Sequence, residues 1–170
     1  METKKLNPEQ VITLNDYPIR HPAIMESYFR RYQARDDKIP LIPVIHKDIV
    51  IPCFSLALKE RLKKFLRNNP KSKYFMLDGS HRTTASTLSH SPIEAIEIES
   101  DSDIKEAKGL VRSGVLLENG IYETNIEGNC NILVKHFTAK PYFSTIKQKT
   151  ARLITDGLIA QDIINTYTAS

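Results

Sequence analysis

The sequence is short of the residues on which several common protein classes depend. Its 170 residues include two cysteines, six glycines and no tryptophan. Cys53 and Cys130 lie far apart, and neither has a second cysteine or a histidine at ligand spacing, so neither a disulfide framework nor a zinc site is expected. The glycine-rich motifs of the common nucleotide-binding folds, G-x-G-x-x-G and G-x-x-x-x-G-K-[ST], are missing. The cysteines are therefore interpreted as buried or idle thiols, and those folds are disfavoured.

Long apolar runs are missing as well. No stretch approaches the ~18 consecutive apolar residues of a membrane-spanning helix, and the polar start at residues 1–5 is followed by no apolar signal core. We therefore expect a cytoplasmic protein that does not contact membranes. Lysine and arginine number 24 against 20 aspartates and glutamates, a net charge of +4. This excess suits a phosphate-bearing ligand but is too weak to identify a nucleic-acid-binding protein.

The apolar spacing predicts an α+β domain with a small mixed sheet. Short apolar or alternating runs predict strands at residues 11–14, 73–77 and 93–98. Apolar stripes at helical spacing predict helices at residues 22–32 and 54–69. The segment 39–45 is apolar but rich in proline, which favours an extended segment or a strand at the border of the sheet, continued by residues 48–51.

The C-terminal third carries weaker signals. We expect helical structure at 104–117, a turn at 118–120, an extended segment at 132–134 and a final helix that begins at Ser144 and ends near Asp156. These assignments predict one compact domain over residues 1–103, with an insertion at 52–72. Residues 104–170 are then a C-terminal extension of strand and helix that packs on this domain.

The most informative segment, Leu77–Ala85, is predicted to turn from a buried strand into a helix. The start of such a helix offers free backbone N–H groups, and the helix dipole favours an anion there. The candidate phosphate-binding residues are Gly79, Ser80, His81, Arg82, Thr83 and Thr84. Gly79 allows a sharp bend, and Arg82 can hold two phosphate oxygens in its planar fork.

Asp78 cannot bind phosphate directly. It is a candidate to hold Mg²⁺ beside the phosphates or to accept a proton from an attacking hydroxyl, and Asp78 and His81 are the candidate catalytic residues. A purely structural interpretation remains open, because Asp-Gly is also an ordinary turn and Ser80 or Thr83 can simply cap a helix.

These residues resemble a known signature. Residues 79–85 fit G-x-x-R-x-x-A, and Asp78 completes D-G-x-H-R. Upstream, residues 15–20 are similar to an N-P-x-x-x-R segment, and residues 39–44 to an L-x-P-I-x-V strand. Residues 8 to 100 thus resemble the ParB/sulfiredoxin-like superfamily, which implies its compact fold and nucleotide phosphates held at the turn. The long insertion at 52–72 departs from that pattern.

The resemblance implies several activities. Sulfiredoxins have a cysteine before His-Arg, where this chain has Ser80, so peroxiredoxin repair is disfavoured. The free-serine-kinase-like branch is the best match and implies phosphate transfer from ATP, ADP or CTP, with Mg²⁺, to a small hydroxyl metabolite such as serine. Those kinases have a glutamate before the first helix. Here Arg20 and His21 stand at that place and Glu26 follows, so these three are assigned to the substrate or nucleotide pocket.

The alternative is a CTP-gated DNA-binding protein or a nuclease of the same superfamily. Residues 104–170 show no clear pair of closely linked recognition helices and only a loose basic scatter. That scatter consists of Lys135, His136, Lys140, Lys147, Lys149 and Arg152. It is interpreted as a solvated surface. A nuclease needs clustered carboxylates, whereas Asp78 stands alone in the sequence.

Overall fold

Five strands form one mixed sheet in the computed structural model, which describes residues 1–169 apart from the side chain of Asn119. The strands are β1 (Glu2–Leu6), β2 (Val11–Ile12), β3 (Ile42–His46), β4 (Tyr74–Met76) and β5 (Ile93–Glu97). Their order across the sheet is β1-β5-β3-β4-β2. The β1–β5 and β3–β4 pairs are antiparallel, while β3–β5 and β2–β4 are parallel.

Helices cover the sheet and make up the C-terminal third. They are α1 (Pro22–Gln33), α2 (Lys47–Val50), α3 (Leu56–Asn68), α4 (Ser80–Leu88), α5 (Asp101–Arg112), α6 (Ile126–Ala139), α7 (Ile146–Thr155) and α8 (Gln161–Thr168). Short 3₁₀ turns occur at Ile51–Cys53 and Glu118–Gly120. The predicted α+β class with a small mixed sheet is confirmed.

Successive strand residues point to opposite sides of the sheet, and apolar clusters cover both faces. Ile45 and Phe75 pack with residues of α3, α5 and α6 on one face. Val44 and Met76 pack on the other face, where Ile146 of α7 joins them. A further apolar cluster joins α1, α4, α7 and α8. The start of α4 therefore lies where the sheet meets this second helical layer.

The predicted border strand at 39–45 is instead an interior strand, β3, which lies between β5 and β4. Its proline is accommodated because Pro43 lies opposite the end of the short strand β4. The Leu77 amide donates to the Pro43 carbonyl oxygen at 3.0 Å, just past that end. Proline therefore forgoes at most the reciprocal hydrogen bond, which is why an interior strand tolerates it.

Several local predictions are wrong. Residues 48–51 do not continue β3, because α2 begins at Lys47. The run 132–134 lies inside α6 rather than in an extended segment, and α7 is followed by a further helix, α8. The described part of the C-terminal extension is thus helical, with one antiparallel bridge between Thr145 and Ile12. The edge strand β1 was not predicted.

Within residues 1–169, no helix is both long enough and apolar enough to cross a membrane.

Candidate functional site

The turn between β4 and α4 has the geometry of a helix start without a side-chain cap. Gly79 is the N-cap residue, with φ +116°, in the left-handed region that favours glycine. A Cβ atom at this position would lie 2.5 Å from Cδ1 of the buried Ile42. Glycine is therefore required here both by the backbone conformation and by the close approach of β3.

The first turn of α4 has backbone donors that no side chain caps. The first α-helical hydrogen bond runs from the Thr83 amide to the Gly79 carbonyl at 2.8 Å. The amides of Ser80, His81 and Arg82 precede this bond and have no acceptor within the helix. The hydroxyl of Thr83 also donates to the Gly79 carbonyl, at 2.9 Å.

The threonines of the predicted phosphate site lie deeper than the turn itself. Thr83 and Thr84 are both fully buried. Thr84 Oγ1 is a buried atom with no hydrogen-bond partner in the described part of the chain. The structure therefore brings Gly79, Ser80 and His81 to the start of the helix and places the two threonines within the packed layer beneath it.

Arg82 has a different position from the one expected of a phosphate-binding fork. It is 1% exposed. Its Nη1 donates to the carbonyl oxygens of Pro40 and Leu41 at 2.9 and 2.7 Å, and its Nη2 donates to Asp78 Oδ2 at 2.6 Å. The guanidinium thus ties the turn to the segment before β3. The sequence could not predict these contacts of Arg82, because two of its three partners are backbone carbonyl groups.

Asp78 is half-buried and held by Arg82. No group of three or more histidine, cysteine, aspartate or glutamate side chains that could hold a metal ion occurs among the described residues. Magnesium in nucleotide sites is usually bound by one or two carboxylates together with the phosphates of the substrate. Asp78 thus fits a Mg²⁺ ion that arrives with a nucleotide and does not fit a resident metal centre.

A buried lysine from the C-terminal extension reaches the start of α4. Lys149 of α7 is 5% exposed. Its Nζ lies 3.1 Å from Ser80 Oγ, forms an ion pair with Asp16 and lies 3.5 Å from Thr13 Oγ1. Burial lowers the pKa of Lys149, against the opposing effect of the Asp16 carboxylate. The interpretation of Lys149 as part of a solvated surface is therefore wrong.

Other residues of the basic scatter hold the segment that carries Asp16. The Asn15 amide donates to Nε2 of His136 at 2.8 Å, and Lys140 Nζ donates to the Asn15 carbonyl at 2.7 Å. The guanidinium of Arg152 lies 4.0 Å from the ring centre of Tyr17. These contacts tie His136, Lys140 and Arg152 to residues 15 and 17.

The predicted pocket residues divide into two groups. The backbone of Arg20 reaches the site, because Nε2 of His81 donates to its carbonyl oxygen. The side chains of Arg20 and His21 are exposed, and Glu26 is half-buried on α1. No hydrogen bond or ion pair joins Glu26 to α4 within residues 1–169. Asp16 is the carboxylate that the structure brings close to Ser80, through Lys149.

Two site residues were missed in the sequence, Asp16 and Lys149. Asp16 lies inside the signature-like segment 15–20, and this place in the motif could have identified it as a site residue. Lys149 lies three residues after Ile146 and four before Leu153, on the apolar stripe of the final helix, but a lysine is normally expected to face water.

An open cleft of about 300 Å³ adjoins the buried lysine. Its lining includes Asn15, Tyr17, Tyr142, Lys149 and Arg152. Aromatic and cationic side chains thus line this cleft, whereas residues 78–82 do not. Lys149 connects the two places, because it lines the cleft and its Nζ lies 3.1 Å from Ser80 Oγ.

The α7 and α8 helices follow each other closely, joined by residues 156–160. This pair of helices was not predicted from the sequence. The second helix, Gln161–Thr168, contains no lysine or arginine, so it lacks the charge with which a recognition helix meets DNA phosphates.

No family model, curated protein or solved structure matches this chain.

Proposed function

We propose that the protein is a ParB/sulfiredoxin-like phosphotransferase that binds a nucleotide at the start of α4. The phosphates of the nucleotide would accept hydrogen bonds from the backbone amides of Ser80, His81 and Arg82, where the helix dipole adds positive potential. The observation that carries this proposal is the start of α4, which has no side-chain cap, beside the buried Lys149 side chain, whose Nζ lies 3.1 Å from Ser80 Oγ. The amides and dipole of this helix start favour an anionic ligand.

The carboxylates suit transfer to a small hydroxyl-bearing metabolite. Asp78 would hold Mg²⁺ delivered with ATP, ADP or CTP, and the ion would neutralise charge on the phosphates. Asp78 or Asp16 would accept the proton of the attacking hydroxyl. Arg82 supports this arrangement by holding the Asp78 carboxylate in place. His81 is held against the loop before α1, where it would close one side of the site.

Two matched glycine variants test the binding site. Gly79→Ala introduces a Cβ at φ +116° and 2.5 Å from Ile42, whereas Gly157→Ala does so at φ +69° with no atom within 4 Å. We expect calorimetry with ATP, ADP and CTP, each with MgCl₂, to show binding of at least one nucleotide to the wild type. Gly79→Ala should weaken it at least ~10-fold, about 1.4 kcal/mol. Gly157→Ala should keep the wild-type affinity, because any backbone strain it causes lies away from α4.

The absence of heat and of thermal stabilisation with every nucleotide would refute the proposal. Equal losses in both glycine variants would assign the turn a structural role alone. The DNA-binding alternative is tested separately by titrating duplex DNA at two salt concentrations with and without nucleotide. Salt-sensitive binding that nucleotide alters would favour it over the kinase.

A further inference from the structure

Three buried or half-buried side chains form a continuous series beside the proposed phosphate site. Ser80 Oγ lies 3.1 Å from Lys149 Nζ, and the same ammonium is paired with Asp16. Ser80 is 7% exposed and Lys149 is 5% exposed. A hydroxyl beside an amine is one arrangement by which proteins activate a nucleophile, and here the Asp16 carboxylate fixes the position of the amine.

Lys149 lies on the buried face of α7, with Ile146 and Leu153, where an apolar side chain is usual. Lys147, two residues earlier on α7, is exposed and pairs with Glu9 at the surface. Burying an ammonium with its carboxylate rarely stabilises a fold more than apolar packing would. Lys149 instead gathers three separate segments: Thr13 and Asp16 before α1, Ser80 at the start of α4, and α7 itself.

We propose that Ser80 is a covalent nucleophile that takes a phosphoryl group from the bound nucleotide, with Lys149 as the proton acceptor and Asp16 as the positioning residue. This inference rests on the proposed function, because it requires nucleotide phosphates at the start of α4. It adds a phosphorylated form of the protein and an assignment for the C-terminal extension, which supplies the amine.

The step balances without a further reactant. The bond from phosphorus to the leaving oxygen of the nucleotide breaks, and a bond from phosphorus to Ser80 Oγ forms. The Oγ proton moves to the neutral amine of Lys149, and the shortened nucleotide departs. Burial lowers the pKa of Lys149 and so favours the neutral amine, while the paired Asp16 carboxylate opposes this effect. The new ammonium then offsets the charge of phosphoserine, which helix N-terminal amides also stabilise.

The second transfer reverses the first on a different hydroxyl. The acceptor oxygen bonds to phosphorus as the bond to Ser80 Oγ breaks, and the Lys149 ammonium returns its proton to Oγ. The acceptor proton passes to a carboxylate of the site, Asp78 or Asp16, or to solvent. The protein is thus regenerated.

Intact-protein mass spectrometry tests the inference directly. The protein is incubated with MgCl₂ and ATP, ADP or CTP without an acceptor, quenched in acid, weighed and digested for site mapping. We expect a mass increase of one phosphoryl group at Ser80. Ser80→Ala should show none, and Lys149→Met should show at least a ~10-fold slower increase, since a missing base commonly costs two orders of magnitude or more. Lys147→Met is the matched control and should become phosphorylated like the wild type.

Calorimetry on the same samples separates the two proposals. If nucleotide binds but Ser80 stays unphosphorylated, or if Ser80→Ala transfers phosphate to an acceptor at the wild-type rate, the nucleophile is refuted and the binding proposal stands. If no nucleotide binds and no phosphoserine forms, both are refuted. Phosphorylation at another residue with Ser80 unmodified also overturns the inference. If Lys149→Met does not fold, because it leaves the Asp16 carboxylate unpaired, the double variant Asp16→Asn with Lys149→Met takes its place, since it removes both charges.

Discussion

Two helices that pack against each other, α4 and α7, begin in opposite ways. At α7 the Thr145 hydroxyl accepts from the Gln148 amide at 3.1 Å, and Gln148 Oε1 accepts from the Thr145 amide at 2.9 Å. This capping box satisfies the start of α7 from within. At α4 the N-cap residue is Gly79, which has no side chain to offer.

The two helix starts are therefore stabilised from different places. The α7 helix holds itself together and carries Lys149 to a fixed place. The α4 helix leaves its first amides free and is anchored instead by Arg82, whose partners lie on another segment. A helix start that is anchored from another segment can keep its backbone donors for a ligand.

The largest effect is expected when the anchor of α4 is removed. Arg82→Ala leaves two backbone carbonyls and the Asp78 carboxylate without their buried partner, so the free energy of unfolding should fall by about 3–5 kcal/mol. Urea unfolding measures it. Arg152→Ala on α7 is the matched control, because that side chain is 61% exposed, and it should cost no more than about 1 kcal/mol. Similar losses in the two variants would contradict the anchoring of α4 by Arg82.

A smaller effect is expected when the cap of α7 is removed. Thr145→Ala should lower the free energy of unfolding by about 1 kcal/mol, the usual cost of losing an N-cap hydroxyl. The rise in Tm on adding nucleotide should stay at its wild-type value, because the donors at α4 are untouched. Thr155→Ala, in the exposed last turn of α7, serves as the control and should change stability by less than about 0.5 kcal/mol. A lost nucleotide response in Thr145→Ala would show that the two helix starts are coupled.

The smallest effect concerns the contact that holds the loop before α1. Burial, then the nearby Lys140 charge, lowers the pKa of His136 below its ordinary 6.5, while Asp16 opposes this. The folded state therefore binds this proton more weakly than the unfolded state. Its contribution to stability is present above pH 6.5 and is lost as the pH falls through the folded-state pKa. Differential scanning calorimetry from pH 7.5 to 5 should show Tm falling more in the wild type than in His136→Gln, which cannot titrate. If Tm falls equally with pH in both proteins, His136 is not the source of the pH dependence.

Local sequence patterns predicted the elements that have apolar residues at regular spacing and a capping or turn residue at one end. The helix α3 has a Ser55 cap and a stripe of buried leucines at 58 and 62. The strand β4 is a short apolar run followed by Asp-Gly. The prediction of 132–134 as extended failed because three consecutive apolar residues resemble a strand, whereas the buried set of α6 at 129, 130, 133 and 137 has helical spacing.

Strand β1 and the buried lysine could not be found in this way. Residues 3–5 are polar, and β1 exists because its backbone completes the edge of the sheet beside β5. Lys4 is paired with the buried Glu97 across that edge, a contact that no local window contains. Lys149 likewise depends on Asp16, a residue more than a hundred positions earlier. The turn at 78–82 was predictable, and its surroundings depended on tertiary packing.

The origin of Lys149 has a consequence for how this chain may be divided. A fragment ending at residue 103 would retain the whole signature-like turn from Asp78 to Ala85 but lose α7 and the contacts of His136 and Lys140 with Asn15. Motif-bearing fragments would therefore be poor substitutes in binding or transfer assays, and a shared turn in another protein says little about shared chemistry unless an equivalent amine reaches it.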